Sequence, residues 1–306
     1  MYVYAQIFSL VEFFSDNNAY MRNNINRQGG YMKKGIVFIC ILVSTALLCI
    51  NIGATFSYDI HVTASDNHSP TTPYNWYCKK TADNSQPPLD SLLSFIEKDG
   101  LEAYYIDRKN SDFKEEDKVI YLTFDAGYEN GNVEKILDVL KAEKVPGAFF
   151  VLENLVKRNT ALVKRMNDEG HLVCNHTATH PDMTKKTSKE EFMQELWALE
   201  DVCEEAGITL APYYRPPEGR FSENNLKIAA ENGYKTVFWS FAYADWDNNA
   251  QVSPEAAIEK VISGTHNGEV ILLHPTSATN AEILDDLIKE WKSMGFRFGT
   301  LDELTK

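Results

Sequence analysis

Five short polar motifs punctuate the second half of the chain: Thr123-Phe124-Asp125-Ala126-Gly127, His176-Thr177-Ala178-Thr179-His180, Arg215-Pro216-Pro217-Glu218-Gly219, Asp245-Trp246 and Leu272-Leu273-His274-Pro275. His176 and His180 suit a divalent metal, because neutral imidazoles are ordinary ligands of Zn²⁺ and its neighbours. They share a face if Thr177 to Thr179 make a helical turn. Asp125, ahead of a Gly-bearing turn, is placed to deprotonate a water, although turn capping uses the same residue type. Arg215 stands before two prolines that stiffen the backbone and aim its guanidinium, which suits the tethering of a carboxylate. The Glu218 peptide N–H is the first donor after those prolines and a candidate oxyanion contact, while its side chain reads as a solvated charge. His274 ends an apolar run; Asp245 as its partner would orient the ring, raise its pKa and leave it protonated as an acid. Trp246, Trp239 and Phe241 are candidates for an apolar wall, and Tyr128 with Trp246 for contact with substrate. A base, an acid and a pair of metal ligands together describe metal-assisted hydrolysis.

Such residues need a scaffold that brings them to one place. From Val119 onward, apolar β-rich runs alternate with helical patterns. Strands are expected at 119–124, 148–152, 171–174, 213–215, 236–240, 270–273 and 296–298. Helices are expected at 133–144, 159–169, 188–206, 222–232, 253–263 and 280–294. The long helix opens on a capping box, Ser188 with Glu191; Ser222 with Asn225 is only a partial match. This alternation implies a parallel sheet, open or closed into a barrel. Each motif falls at or just past the C-terminal end of a strand, the face on which αβ barrels assemble their sites. No Gly-rich phosphate loop follows any strand.

The chain has 306 residues and a net charge of −14, which argues against nucleic acid as a partner. Residues 1–54 are the exception to this acidity, with Arg22, Arg27, Lys33 and Lys34 against Glu12 and Asp16. Met32-Lys33-Lys34 precedes an apolar run from Ile36 to Ala54, the pattern of a secretory signal or membrane anchor. Residues 1–31 then form an upstream extension, 32–54 the export segment, 55–116 a linker and N-terminal extension rich in polar residues, and 117–306 the catalytic domain. The expected location is outside the membrane, secreted or anchored by 32–54. Cys78, Cys174 and Cys203 are an odd set with no CxxC, and read as free thiols. No interface pattern stands out, and a monomer is expected.

Taken in order, the five motifs resemble the polysaccharide deacetylases of carbohydrate esterase family 4, the NodB-homology domain, over roughly residues 117–305. The run Thr123 to Gly131 resembles the branch containing the sporulation muramic-δ-lactam de-N-acetylases, which also lacks the second Asp that other branches carry where Ala126 stands. The resemblance implies a distorted (β/α)7 barrel that removes N-acetyl groups from an amino-sugar polymer. It also implies a role for each residue. Asp125 is the base, Arg215 its tether, His176 and His180 the metal ligands. The backbone of Glu218 is the oxyanion donor, and Asp245 the partner of the acid His274. Ala126 cannot coordinate, so the metal, Zn²⁺ or Co²⁺, is expected to be held by the two His, water and Asp125, and more weakly. Peptidoglycan is the expected substrate, at N-acetylmuramic acid stripped of its peptide. The competing substrates are chitin oligomers, peptidoglycan N-acetylglucosamine and acetylated xylan. A non-catalytic glycan-binding protein is the rival of another class.

Overall fold

The computed structural model describes residues 69–108 and 117–306. The apolar run 36–54 and the upstream extension lie outside the described residues. No helix among the described residues is long and apolar enough to cross a membrane.

Eleven strands are described: β1 (Tyr74–Asn75), β2 (Ala103–Tyr104), β3 (Lys118–Ala126), β4 (Ala148–Val151), β5 (Leu172–Asn175), β6 (Leu210–Tyr214), β7 (Arg220–Phe221), β8 (Lys235–Val237), β9 (Phe241–Ala242), β10 (Glu269–Leu273) and β11 (Phe296–Phe298). Nine form one sheet in the order β2-β8-β6-β5-β4-β3-β10-β9, with β11 paired to the start of β3. Every pairing in it is parallel. The sheet curls into a half-barrel, in keeping with the distorted barrel expected from the motifs. Between and after the strands lie α1 (Phe95–Lys98), α2 (Val133–Glu143), α3 (Glu153–Arg158), α4 (Thr160–Asp168), α5 (Lys189–Ala206), α6 (Glu223–Glu231), α7 (Pro254–Ile262), α8 (Ala278–Ser293) and α9 (Leu301–Leu304).

Strand alternation divides the core into two layers. On β3, Ile120, Leu122, Phe124 and Ala126 join the outer cluster with the apolar faces of α2 and α8 (Ile136, Leu137, Leu284, Leu287). Val119 and Tyr121 join a smaller cluster with Phe150, Tyr213 and Val270. Asp125 is in phase with this second set, so the period that buries the strand also sets its carboxylate on the inner face. Two helix starts show why the chain breaks where it does. Ser188 and Glu191 form the expected capping box on α5, and Ser222 with Asn225 proves to be a complete one on α6.

Residues 69–108 fall within the expected linker and N-terminal extension, and they pack onto the fold. Trp76 is buried and stacks on Phe238, with ring centroids 4.3 Å apart. Leu93, Ile96, Tyr105 and Ile106 complete a cluster with Phe221 and Leu226. β1 pairs antiparallel with β7, and β2 joins the edge of the main sheet beside β8. The polar composition concealed a few large apolar side chains, which suffice to pin an otherwise irregular segment.

Candidate active site

Asp125 sits at the end of β3 and Arg215 directly after β6. The Arg215 side chain is fully buried. Its Nη1 donates to Asp125 Oδ1 at 2.8 Å. Nη2 donates to Thr123 Oγ1 at 2.9 Å and to the Phe238 carbonyl at 3.1 Å, and Nε to the Val237 carbonyl at 2.9 Å. The guanidinium also lies over the Phe150 ring, 4.1 Å from its centroid. A buried cation so fully hydrogen-bonded is fixed in place, and it fixes the carboxylate in turn. Burial is the largest influence on the Asp125 pKa and would raise it; the charge and hydrogen bond of Arg215, together with the nearby His176 and His274, outweigh it and hold the carboxyl below its ordinary range.

His176 directly follows β5. Thr177 to Thr179 do not form the helical turn that the spacing suggested. Thr177 and His180 instead adopt positive φ, 74° and 59°. For a β-branched residue that conformation is strained and needs support. The Thr177 N–H donates to Asn175 Oδ1 at 2.8 Å, and the His180 N–H to Thr177 Oγ1 at 3.0 Å. From α5, the Glu195 carboxylate accepts from the Thr179 N–H and hydroxyl, each at 3.0 Å. The folded-back loop still brings the imidazoles together, with ring centroids 5.0 Å apart. Asn175 and Glu195 carried no signal in the sequence; their part depends on where α5 packs.

Across the site, His274 follows β10 and Asp245 follows β9. His274 Nδ1 lies 2.7 Å from Asp245 Oδ1, and the His274 backbone N–H donates to Oδ2 at 2.8 Å. Burial pushes the His274 pKa down, but the hydrogen bond and charge of Asp245 push harder, and the net shift is upward. The ring is thus biased towards the protonated form.

These groups converge on a cleft of about 580 Å³, lined by Asp125, His176, His180 and His274, by the aromatic walls Trp239, Tyr243 and Trp246, and by Glu218. The 3₁₀ turn Pro217–Gly219 delivers Glu218 with a φ of 56°. Arg215 and Asp245 stand behind the lining, each holding a residue in it. Trp246 is 63% exposed, as a residue at the cleft mouth would be. Tyr128 is not part of the lining. Its hydroxyl accepts from Asn248 Nδ2 at 2.6 Å, on the loop that carries Trp246. Phe241 packs with the outer cluster instead of forming wall.

The polysaccharide deacetylase family model matches residues 112–237. The peptidoglycan-N-acetylmuramic acid deacetylase PdaA of Bacillus subtilis is 44% identical over 238 residues, which cover 77% of this chain and 87% of that protein. The solved structure of PdaA, a family 4 carbohydrate esterase, superposes with a TM-score of 0.70 at 42% identity, covering 77% of this chain and 98% of that one. The chain belongs to the polysaccharide deacetylases of carbohydrate esterase family 4. A family 4 carbohydrate esterase from Bacillus anthracis is similar too, with a TM-score of 0.60, 36% identity and coverage of 76% and 96%. The chain is therefore a hydrolase of the deacetylase class, acting on C–N bonds.

Deacetylases of this family generally depend on a metal, and the donor set here fits one. Burial pushes the His176 pKa down to about 4, so its ring is neutral at pH 7. Its Nδ1 lies 2.9 Å from the Arg215 carbonyl, which can only accept, so Nδ1 carries the proton and Nε2 a lone pair. That lone pair lies 3.5 Å from Asp125 Oδ2. Two acceptors so close, with a second imidazole beside them, suit a cation. Ala126 is buried in the outer apolar layer and offers no ligand. Among the described residues, no group of three His, Cys, Asp or Glu side chains is gathered tightly enough to cage an ion.

Proposed function

We propose that this deacetylase acts on peptidoglycan, removing the acetyl group from N-acetylmuramic acid stripped of its peptide, outside the membrane after export by residues 32–54. The observation that carries the reading is the pairing of two restrained groups on one cleft, Asp125 clamped by Arg215 and His274 by Asp245. Likeness to PdaA over most of both chains supports the substrate. A binding protein would have no use for this acid–base set.

In this reading Asp125 takes a proton from water, whose oxygen bonds to the acetamide carbon. The Glu218 backbone N–H, presented by the left-handed turn, donates to the developing oxyanion. His274 gives its proton to the departing nitrogen as the C–N bond breaks, and acetate and a free amine leave. Protons balance: Asp125 gains the proton that His274 loses, the second water proton leaves on acetic acid and is lost to solvent as acetate forms, and solvent resets both residues. Trp246 and Tyr243 position the sugar by stacking. A Zn²⁺ or Co²⁺ ion held by His176 and His180, beside Asp125 Oδ2, would supply Lewis-acid polarisation of the carbonyl. The amine left on muramic acid would then allow closure on its own lactyl carboxyl group, with loss of water, to the δ-lactam of spore cortex.

The test is acetate release by the full chain on cortex-type peptidoglycan bearing peptide-free muramic acid, beside chitin oligomers, N-acetylglucosamine-only glycan and acetylated xylan. Release from the first, lost with chelator and restored by Zn²⁺ or Co²⁺, is expected. Release from another substrate alone would overturn the muramic assignment, and chelator-indifferent release the metal's part.

A further inference from the structure

Asn280 lies three residues past the N-cap Ser277 of α8, and its backbone N–H is already satisfied by Ser277 Oγ at 3.0 Å. The side chain is therefore free for other work, and it is almost wholly buried. Its Nδ2 donates to Asp245 Oδ2 at 2.6 Å and to the His274 carbonyl at 3.1 Å. The Tyr243 hydroxyl donates to its Oδ1. One amide thus contacts both members of the acid pair and a wall of the cleft.

We propose that Asn280 is a positioning residue for proton donation, setting the plane of the Asp245 carboxylate and, through it, the ring of His274. Asp245 can swing about its terminal torsion unless both oxygens are engaged, since that rotation is soft. Oδ2 receives two donors, the His274 N–H and Asn280 Nδ2, which leaves Oδ1 facing His274 Nδ1. The second bond, to the His274 carbonyl, holds the backbone from which that ring projects. The Asp245 carboxylate and the His274 carbonyl, which can only accept, decide which end of the amide faces them, and the Tyr243 O–H donates to the Oδ1 that this orientation leaves on the other side. An acid at position 280 could not serve, because two carboxylates at this separation cannot both ionise. The cleft-lining Tyr243 in turn ties the setting of the acid to the wall against which substrate rests. This inference rests on the assignment of His274 as acid in the reading above.

The experiment compares the full chain with Asn280→Ala and Asn280→Asp. Three readouts are taken: kcat and KM for acetate release, thermal unfolding, and the downfield proton resonance of the His274 Nδ1–H···Asp245 bond in ¹⁵N-histidine-labelled protein. Loss of a partner one step behind a catalytic group costs about 10- to 100-fold. We expect kcat to fall by that much with KM nearly unchanged, Asn280→Asp being the worse, and the resonance to broaden or vanish in both. Folded variants that keep kcat within about twofold and retain the resonance, losing only thermal stability, would show a packing role and overturn the proposal. If neither variant folds, the wild-type side-chain amide decides: slow hydrogen exchange at Asn280 Nδ2 supports the clamp, and exchange at the solvent rate refutes it. A wild-type chain that releases no acetate from any substrate defeats the functional reading, while the resonance still reports on the clamp.

Discussion

Two side chains are expected to carry the proton transfers, and their protonation sets the pH range of activity. Asp125→Asn and His274→Ala should each lower kcat by about 10²- to 10⁴-fold, measured on the folded fraction, because Asp125→Asn leaves the buried Arg215 charge unpaired and lowers the unfolding temperature as well. A variant keeping most of its turnover would remove that residue from its role. The pKa of His274 lies above its ordinary 6.5, since Asp245 outweighs the opposing effect of burial. An acid must be protonated, so kcat/KM should fall as pH rises through a value above 6.5. The same shift contributes stability that is complete below 6.5 and lost as pH climbs through the folded value. Asp125 runs the other way. It is held below 3.8 because Arg215, His176 and His274 together outweigh burial, so its contribution is present above 3.8 and lost as pH falls through the lower folded value. The acidic limb of activity then begins near pH 4, where His176 protonates, and Asp125 follows at lower pH. Asp245→Asn should move the alkaline limb to lower pH; a pH–rate profile identical to wild type would contradict the pairing.

Turns, more than strands, decide how these residues face the cleft. The Pro217–Gly219 turn makes the case at the level of an element, because Glu218 and Gly219 both have positive φ. If the contribution of Glu218 is its backbone N–H, Glu218→Gly should retain most of the activity, as glycine adopts that φ without strain. Loss of activity with the fold intact would move the role to the carboxylate. Gly219→Ala is the counterpart. An added Cβ would lie 2.7 Å from the Trp239 ring and 3.0 Å from Trp76 Cβ, at a φ of 64°. The expected result is a loss of about 1–3 kcal/mol in denaturant unfolding, with a lower kcat as the Trp239 wall shifts. The His176–His180 loop shows the same dependence on local support: Asn175 and Glu195 hold a backbone that Thr177 would not adopt unaided.

On the scale of the molecule, residues 69–108 act as a brace behind the site. The Trp76 N–H donates to the Gly219 carbonyl at 2.8 Å, and its indole N–H to the Trp239 carbonyl at 2.8 Å. One residue thus supports both the Glu218 turn and the aromatic wall. Trp76→Ala should cost about 3–5 kcal/mol, measured by denaturant unfolding, and lower kcat by more than the folded fraction accounts for. Full activity in the folded variant would reduce the segment to packing alone.

The motif residues were legible from sequence because chemistry restricts their types. The proposed proton transfers and ion pairing favour imidazole, carboxylate and guanidinium groups, and strand alternation sets Asp125 on the inner face, with Arg215 and His274 falling directly after β6 and β10. The parallel sheet followed from apolar runs alternating with helical periods, and the capped start of α5 from Ser188 and Glu191. Tertiary structure decided the rest. The His176–His180 pair looked like a helical turn because spacing of four fits one, but Asn175 and Glu195 fold it back instead. Asn280 read as an ordinary residue of a helix first turn; its partners stand 35 and 37 positions away in the chain, at Asp245 and Tyr243. Trp76 sat within polar, Pro-containing sequence, and its burial depends on Phe238 and Gly219 far downstream. Local pattern reports the preference of a segment for its own conformation and for water, whereas a contact between distant segments exists only once the sheet has curled and brought them together.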